Sequence, residues 1–288
     1  MKKLLVTGLF LVLATGAFAY LYDGLNTNDC IYAPGVADSL HARAAFYYMG
    51  LLNKHYDAEG ESQEDYPITE GKNTYMFIPI DVGYNFNNVA QVDIGLQLLN
   101  YSWDDGVDAT EDASEFGLSD LWIKARGIFQ VGPEWYLGPR LGFKAAIGDE
   151  EKGLGSGQHD IDLGLWVGKE RAGNNFRANA ALGFRYRLED DNNVQPGMMV
   201  YGRLEPGFAI TPEFEAFGII DFTTAFTAKN NGNDITDSEA MGLSVGVRPT
   251  YFIDGNNAVS AEVQYPVMGD NIDQELLFGF NYDGYIPF

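Results

Sequence analysis

Phe176-Arg177-Ala178-Asn179-Ala180-Ala181-Leu182-Gly183-Phe184-Arg185-Tyr186-Arg187-Leu188 is the stretch on which the fold turns. Phe176, Ala178, Ala180, Leu182, Phe184, Tyr186 and Leu188 take every second place. Arg177, Asn179, Ala181, Gly183, Arg185 and Arg187 fill the places between. Side chains alternate across a strand with period two, so this spacing separates an apolar face from one carrying three arginines. Wound as a helix, Arg177, Arg185 and Phe184 would fall on overlapping faces and the separation would vanish. The segment reads as a strand, and a long one.

The same period runs outward in both directions. Val92, Ile94, Leu96 and Leu98 alternate with Gln91, Asp93, Gly95 and Gln97. Leu121, Ile123, Ala125, Gly127 and Phe129 alternate with Asp120, Trp122, Lys124, Arg126 and Ile128. Twelve such runs lie at 38–52, 74–87, 89–101, 118–131, 134–148, 158–169, 174–189, 197–210, 213–228, 239–252, 257–267 and 275–286. Most exceed the ~5–6 residues of an ordinary globular strand. They match the ~9–11 residues of a tilted strand crossing a bilayer.

The connections alternate too. Asn87-Asn88, Gly132-Pro133, Gly173-Asn174, Thr211-Pro212 and Asp254-Gly255-Asn256 make tight turns after the even runs. Longer, mostly acidic loops follow the odd ones: Asp57, Glu59, Glu61, Glu64 and Asp65 in one, and Asp104, Asp105, Asp108, Glu111, Asp112 and Glu115 in the next. Short turns on one side and long loops on the other predict an all-β transmembrane antiparallel barrel of twelve strands in a bacterial outer membrane, with both termini in the periplasm. An even strand count lets the sheet close, leaving no open edge in lipid.

Aromatic residues mark the membrane boundary. Tyr84, Phe86, Phe129, Trp135, Phe176, Phe208, Phe214 and Tyr251 share the apolar face beside the short turns, where amphipathic rings settle at headgroup level. The last run keeps one register through Leu276, Phe278, Phe280, Tyr282 and Ile286 to the terminal Phe288. Such a tail resembles the signal by which outer-membrane proteins reach their barrel-insertion machinery, although Pro287 departs from its usual pattern. A secreted soluble β-sandwich, with the apolar face packed inward, is the competing fold.

The chain's first segment is an address. Lys2 and Lys3 precede an apolar run from Leu4 to Phe18, closed by Ala17-Phe18-Ala19. A charged start, a short apolar core and a small-x-small end predict a signal peptide over residues 1–19. Residues 20–37 then form an N-terminal periplasmic or lumen segment, and residues 38–288 the barrel.

Composition narrows the chemistry. The 288 residues hold 41 Asp and Glu against 18 Lys and Arg, a formal charge of −23. That balance lacks the basic footprint that nucleic-acid binding requires. Hydrophobic residues at 46% and aromatics at 14% exclude a disordered acidic chain. One cysteine, Cys30, leaves no intrachain disulfide and no cysteine-based zinc site. No cofactor or metal is expected. His159-Asp160 is the one catalytic-looking pair, but His159 falls in the outward register and reads as a surface residue; His41 falls in the inward one. The acidic loops suit a hard cation in ligand type. They lack a recognised spacing and read as solvated surface.

In mid-chain, Phe116-Gly117-Leu118-Ser119-Asp120 is followed by Arg140-Leu141-Gly142-Phe143-Lys144-Ala145-Ala146-Ile147-Gly148-Asp149 and by Leu154-Gly155-Ser156-Gly157-Gln158-His159-Asp160. This succession resembles the Gly-x-x-Asp, Lys-x-Pro-Thr-Gly-Asp and Leu-Gly-Thr-Gly-Gln-x-Asp motifs of the outer-membrane transporters named for the meta-cleavage pathway of phenol degradation. Ala146-Ile147 stands where that family has Pro-Thr, and Ser156 where it has Thr. The resemblance covers about residues 116–190 and implies a barrel passing small, often aromatic or otherwise hydrophobic, solutes. Gly153, Gly155 and Gly157 suit a tight excursion with positive φ.

The basic residues then give the function its outline. Arg43, Lys124, Arg126, Arg140, Lys144, Arg177, Arg185, Arg187, Arg203 and Arg248 fall in strands, all in the register opposite the apolar face. Inward carboxylates include Asp81, Asp93, Asp120, Asp160, Asp162, Glu205, Asp221 and Glu262. Solute-contact candidates are Arg126, Arg140, Arg185 and Arg187, with Lys124, Lys144, Arg177, Arg203, Asp120 and Asp160 beside them. A basic strip in a low-dielectric tube concentrates anions and grips a carboxylate through a bidentate fork. The expectation is a channel, not an enzyme, for passive passage of small aromatic or carboxylated solutes. The alternatives are a non-transporting barrel acting through its acidic loops as a structural or surface-binding protein, and the soluble sandwich.

Overall fold

The computed structural model of the protein describes residues 38–50, 54–56, 62–63, 72–87, 89–104, 113–150, 152–170, 175–190, 193–270, 272–274 and 276–288. The expected signal peptide, the 20–37 segment, the Gly173-Asn174 turn and most of the two acidic loops lie outside them. Twelve strands build one sheet: β1 (Ser39–Met49), β2 (Lys72–Phe86), β3 (Ala90–Asp104), β4 in two halves (Ala113–Leu118 and Leu121–Gly127), β5 (Trp135–Ala145), β6 (Asp160–Lys169), β7 (Phe176–Arg187), β8 (Met199–Ala209), β9 (Phe214–Ala225), β10 (Ala240–Phe252), β11 (Asn257–Asp270) and β12 (Leu277–Pro287). Each pairs antiparallel with its sequence neighbours. At the seam β1 pairs with β12, Ala44 opposite Tyr282, and the sheet closes into a barrel. Closure satisfies every strand edge within the sheet, as a lipid environment demands.

Alternation sorts the two faces as the sequence leads one to expect. In β7, Leu182 is 54% exposed while the adjacent Ala181 is 7% exposed. Val82, Ile94, Leu141, Leu165, Val247 and Phe280 are likewise exposed on their own strands. A sandwich would bury this apolar face between two sheets. Here it surrounds the barrel, which removes the soluble reading and marks the surface as lipid-facing. The inner face carries the charges. Phe86, Phe129, Trp135, Phe176, Phe208 and Tyr251 stand exposed at the short-turn end, with Tyr84 and Phe214 half-buried.

Two departures bear on the interior. The fourth strand begins at Ala113, earlier than its apolar run, and breaks at Ser119-Asp120. There the Ser119 N–H donates to the Gln97 carbonyl at 2.8 Å, and Asp120 turns its carboxylate to a loop. The fifth strand stops at Ala145, before the run ends, because the chain from Gly148 folds inward. On the long-loop side, Ile272–Gln274, Lys54–Tyr56 and Ser62–Gln63 pair into a small separate sheet, as do Val194–Gln195, Lys229–Asn230 and Asn233–Asp234.

Candidate functional site in the barrel lumen

Period two delivers every second side chain of each strand to the lumen, and all ten candidates arrive there. Arg126, Arg140, Arg185, Arg187, Lys144, Arg203, Asp120 and Asp160 are buried; Lys124 and Arg177 are half-buried. A buried charge is tolerated when it is paired and hydrogen-bonded. The lumen supplies partners across strands.

On β4 to β7 the partners are carboxylates and aromatic rings together. Arg185 Nε donates to Asp162 Oδ2 at 3.1 Å, and its guanidinium lies 4.6 Å from the centre of the Trp122 ring and 5.8 Å from that of Tyr201. The Tyr201 hydroxyl donates to the other oxygen of Asp162. Arg126 donates to Gln91 Oε1 at 2.7 Å and to the Tyr285 hydroxyl at 3.2 Å, and stands 5.4 Å from the Trp166 ring. Lys144 Nζ is 2.7 Å from Asp160 and 3.8 Å from Asp120. A cation stacked on a ring gains ~2 kcal/mol when both are desolvated.

Two further networks lie around the rest of the wall. Arg203 contacts Glu205 at 2.7 Å, Asp221 at 3.2 Å and Glu262 at 3.2 Å, while Arg248 Nη1 is 2.8 Å from Glu205. Asp81 bridges Arg43 at 3.2 Å and Lys124 at 2.9 Å. His41, in the inward register as expected, sits between Asp93 at 2.6 Å and Asp283 at 3.2 Å. His159 stands outward and exposed, its Nδ1 accepting from the Ala146 N–H at 3.2 Å and its ring stacked on Phe143. Sequence reasoning identified the lumen charges but not their aromatic companions. Trp122, Trp166, Tyr201 and Phe217 occupy inward places, yet apolar residues in that register read as filler until their positions over guanidinium groups are seen.

The charges are not spread evenly. Among the described residues, β4 to β7 turn seven cations inward (Lys124, Arg126, Arg140, Lys144, Arg177, Arg185, Arg187) against four carboxylates (Glu115, Asp120, Asp160, Asp162). The other eight strands reverse the ratio: Arg43, Arg203 and Arg248, with His41, face Asp81, Asp93, Glu205, Glu215, Asp221, Glu262 and Asp283. Two ion pairs cross the boundary, Lys124 with Asp81 and Arg177 with Glu215 at 3.3 Å. Discounting both still leaves five cations to four carboxylates on one wall and three arginines to five carboxylates on the other.

At the long-loop end, residues 146–150 and 152–158 fold across the mouth. Asp120 accepts from the Gly148 N–H at 3.1 Å, the Ser156 N–H at 3.0 Å and the Ser156 hydroxyl at 2.7 Å. Leu154 is buried with Tyr47, Tyr75, Phe77, Tyr101 and Leu277, side chains from β1, β2, β3 and β12. Gly153 and Gly157 hold φ of 67°, as the sequence suggests. Gly155 serves differently: a Cβ there would lie 2.6 Å from the Gly148 backbone, so this glycine permits chain-on-chain contact.

Over residues 71–282 the sequence matches the family described as "Putative MetA-pathway of phenol degradation". The chain belongs to this family. Its fold is similar to that of an outer membrane channel from Pseudomonas putida F1, at a TM-score of 0.73 with 12% identity, over 88% of this chain and 98% of that one. It is also similar to the translocator domain of the autotransporter NalP from Neisseria meningitidis, at a TM-score of 0.54 with 11% identity, over 94% of this chain and 98% of the other. Among curated proteins, none matches the sequence. At these identities the likeness is one of fold.

Proposed function

We propose that the protein is a passive channel for small solutes across the outer membrane, with aromatic or carboxylated solutes favoured by one wall of its lumen. The observation that carries this reading is the β4 to β7 wall, where Arg126, Arg140, Arg185 and Arg187 share the lumen face with Trp122 and Trp166, and Tyr201 of β8 stands beside them. Guanidinium groups bind carboxylates through paired N–H donors, and flat rings accept an apolar body. Asp120 and Asp160 support that wall through Lys144 and through the loop, rather than by meeting the solute. A twelve-stranded barrel lies between those filled by side chains and those wide enough for an aqueous channel, so side chains set what passes. Membership of a family named for phenol degradation supports the aromatic part of the reading. The lipid partner is the apolar outer face, and the β12 strand ending at Phe288 is the segment that the barrel-insertion machinery would recognise.

Reversal potentials across a salt gradient test the wall. The expected result is a weak anion preference, lost when Arg185→Ala is combined with Arg187→Ala. A cation preference that the double variant leaves unchanged would make the strip purely structural. A second reading, a barrel that seals and acts from its surface, draws on the near-complete burial of Arg43 and Arg248 inside the lumen. A folded protein that passes no current would favour it.

A further inference from the structure

We propose that the lumen selects dipolar solutes, those carrying a carboxylate at one side and an ammonium group at the other, over monoanions or monocations with the same apolar body. This rests on the channel reading and deepens it. Salt bridges that merely filled the tube would balance within each wall, because each pair forms between near neighbours. The charges instead leave a cationic surplus on β4 to β7 and an anionic surplus on the remaining strands. Opposite surpluses in a low-dielectric tube set up a field across the lumen, perpendicular to the path of the solute. A solute of net charge meets one attractive and one repulsive wall. A zwitterion turned to the field gains at both.

Buried groups without a hydrogen-bond partner include donors and acceptors on both walls, and three of them are placed to meet a solute of this kind. On the basic wall the indole Nε1–H of Trp122, itself 3% exposed, has no hydrogen-bond acceptor among the described residues. On the acidic wall, Asp221 gives Oδ2 to Arg203 while Oδ1 has no partner. Asp283 likewise gives Oδ1 to His41 and leaves Oδ2 unmet. Leaving such groups unmade in a buried site is costly, about 1–3 kcal/mol each, so they point to a missing complement. A donor waits beside the arginines and acceptors wait opposite. A carboxylate and an ammonium group are the complements in that order.

Three solutes sharing one ring separate the possibilities: phenylalanine, 3-phenylpropionate and phenethylamine, followed into proteoliposomes holding the full barrel. Phenylalanine is expected to enter about threefold or more faster than either of the others, the scale of a modest focused field. Arg185→Gln with Arg187→Gln is expected to shift the advantage toward phenethylamine. Asp221→Asn with Glu262→Gln is expected to shift it toward 3-phenylpropionate. Heat-modifiable migration on gels checks that each variant has folded, and the single variants Arg187→Gln and Asp221→Asn replace any double that has not. Equal entry of the three solutes, or variants that slow all three in proportion, would overturn the dipolar reading while leaving a channel. Entry of none, together with absence of conductance, would overturn the channel reading as well.

Discussion

Arg185 shows how a charge survives inside this barrel. Its Nε–H is met by Asp162 at 3.1 Å, and the face of its guanidinium lies against Trp122. The residue was legible as inward from period two alone. Asp162 was legible as inward in the same way, since it alternates with Ile161 and Leu163. Their pairing was not, because it depends on the register between β6 and β7, where Asp162 stands opposite Arg185. Leu182 tests the outward half of the pattern. Leu182→Arg is expected to cost ~2–4 kcal/mol of barrel stability at mid-membrane depth, read from folding titrations into bilayers. Leu182→Phe, still apolar, should cost little, and equal losses would mean the residue does not face lipid. The neighbouring inward site is no neutral control: Ala181 packs with Ile128, Tyr136, Trp166, Met199 and Tyr201, so a larger side chain there would overpack the lumen.

Strands and loops differ in how far their sequences disclose them. All twelve strands follow from apolar alternation, because lipid on one side and charge on the other impose a strict period over ten or so residues. The break in β4 shows in the sequence only as a change of parity. The outward residues pass from Phe116 and Leu118 to Leu121 and Ile123, so Ser119-Asp120 shifts the register by one residue, and the loop amides and hydroxyl that Asp120 accepts hold the interruption. The glycine-rich motif announced a tight excursion but not its direction. Its inward course depends on Leu154 finding aromatic side chains from strands distant in sequence. This loop lies across the mouth, with Asp120 as its tether. Leu154→Ser is therefore expected to raise single-channel conductance, and Asp120→Asn to raise it and make the current noisier as the tether loosens. Unchanged currents in both would show that this loop does not limit passage.

For the molecule as a whole, the excess of negative charge belongs to the chain and not to its lumen. Inward cations and carboxylates are nearly equal in number among the described residues, ten against eleven besides His41, but their surpluses are laid out on opposite walls. The sequence disclosed both sets. It could not disclose their separation, which exists only once β4 to β7 close against the other eight strands. Closure also explains why the apolar surface can be continuous: no strand edge remains, and lipid takes the place of a core. Conduction by this closed barrel through its charged lumen is the proposal on which the selectivity readings depend. Current recording from single barrels in planar bilayers tests that most directly. Discrete, reproducible steps are expected, shifting toward cation preference when Arg185 and Arg187 are both neutralised. A heat-modifiable, folded protein that inserts into the bilayer and gives no steps would contradict it.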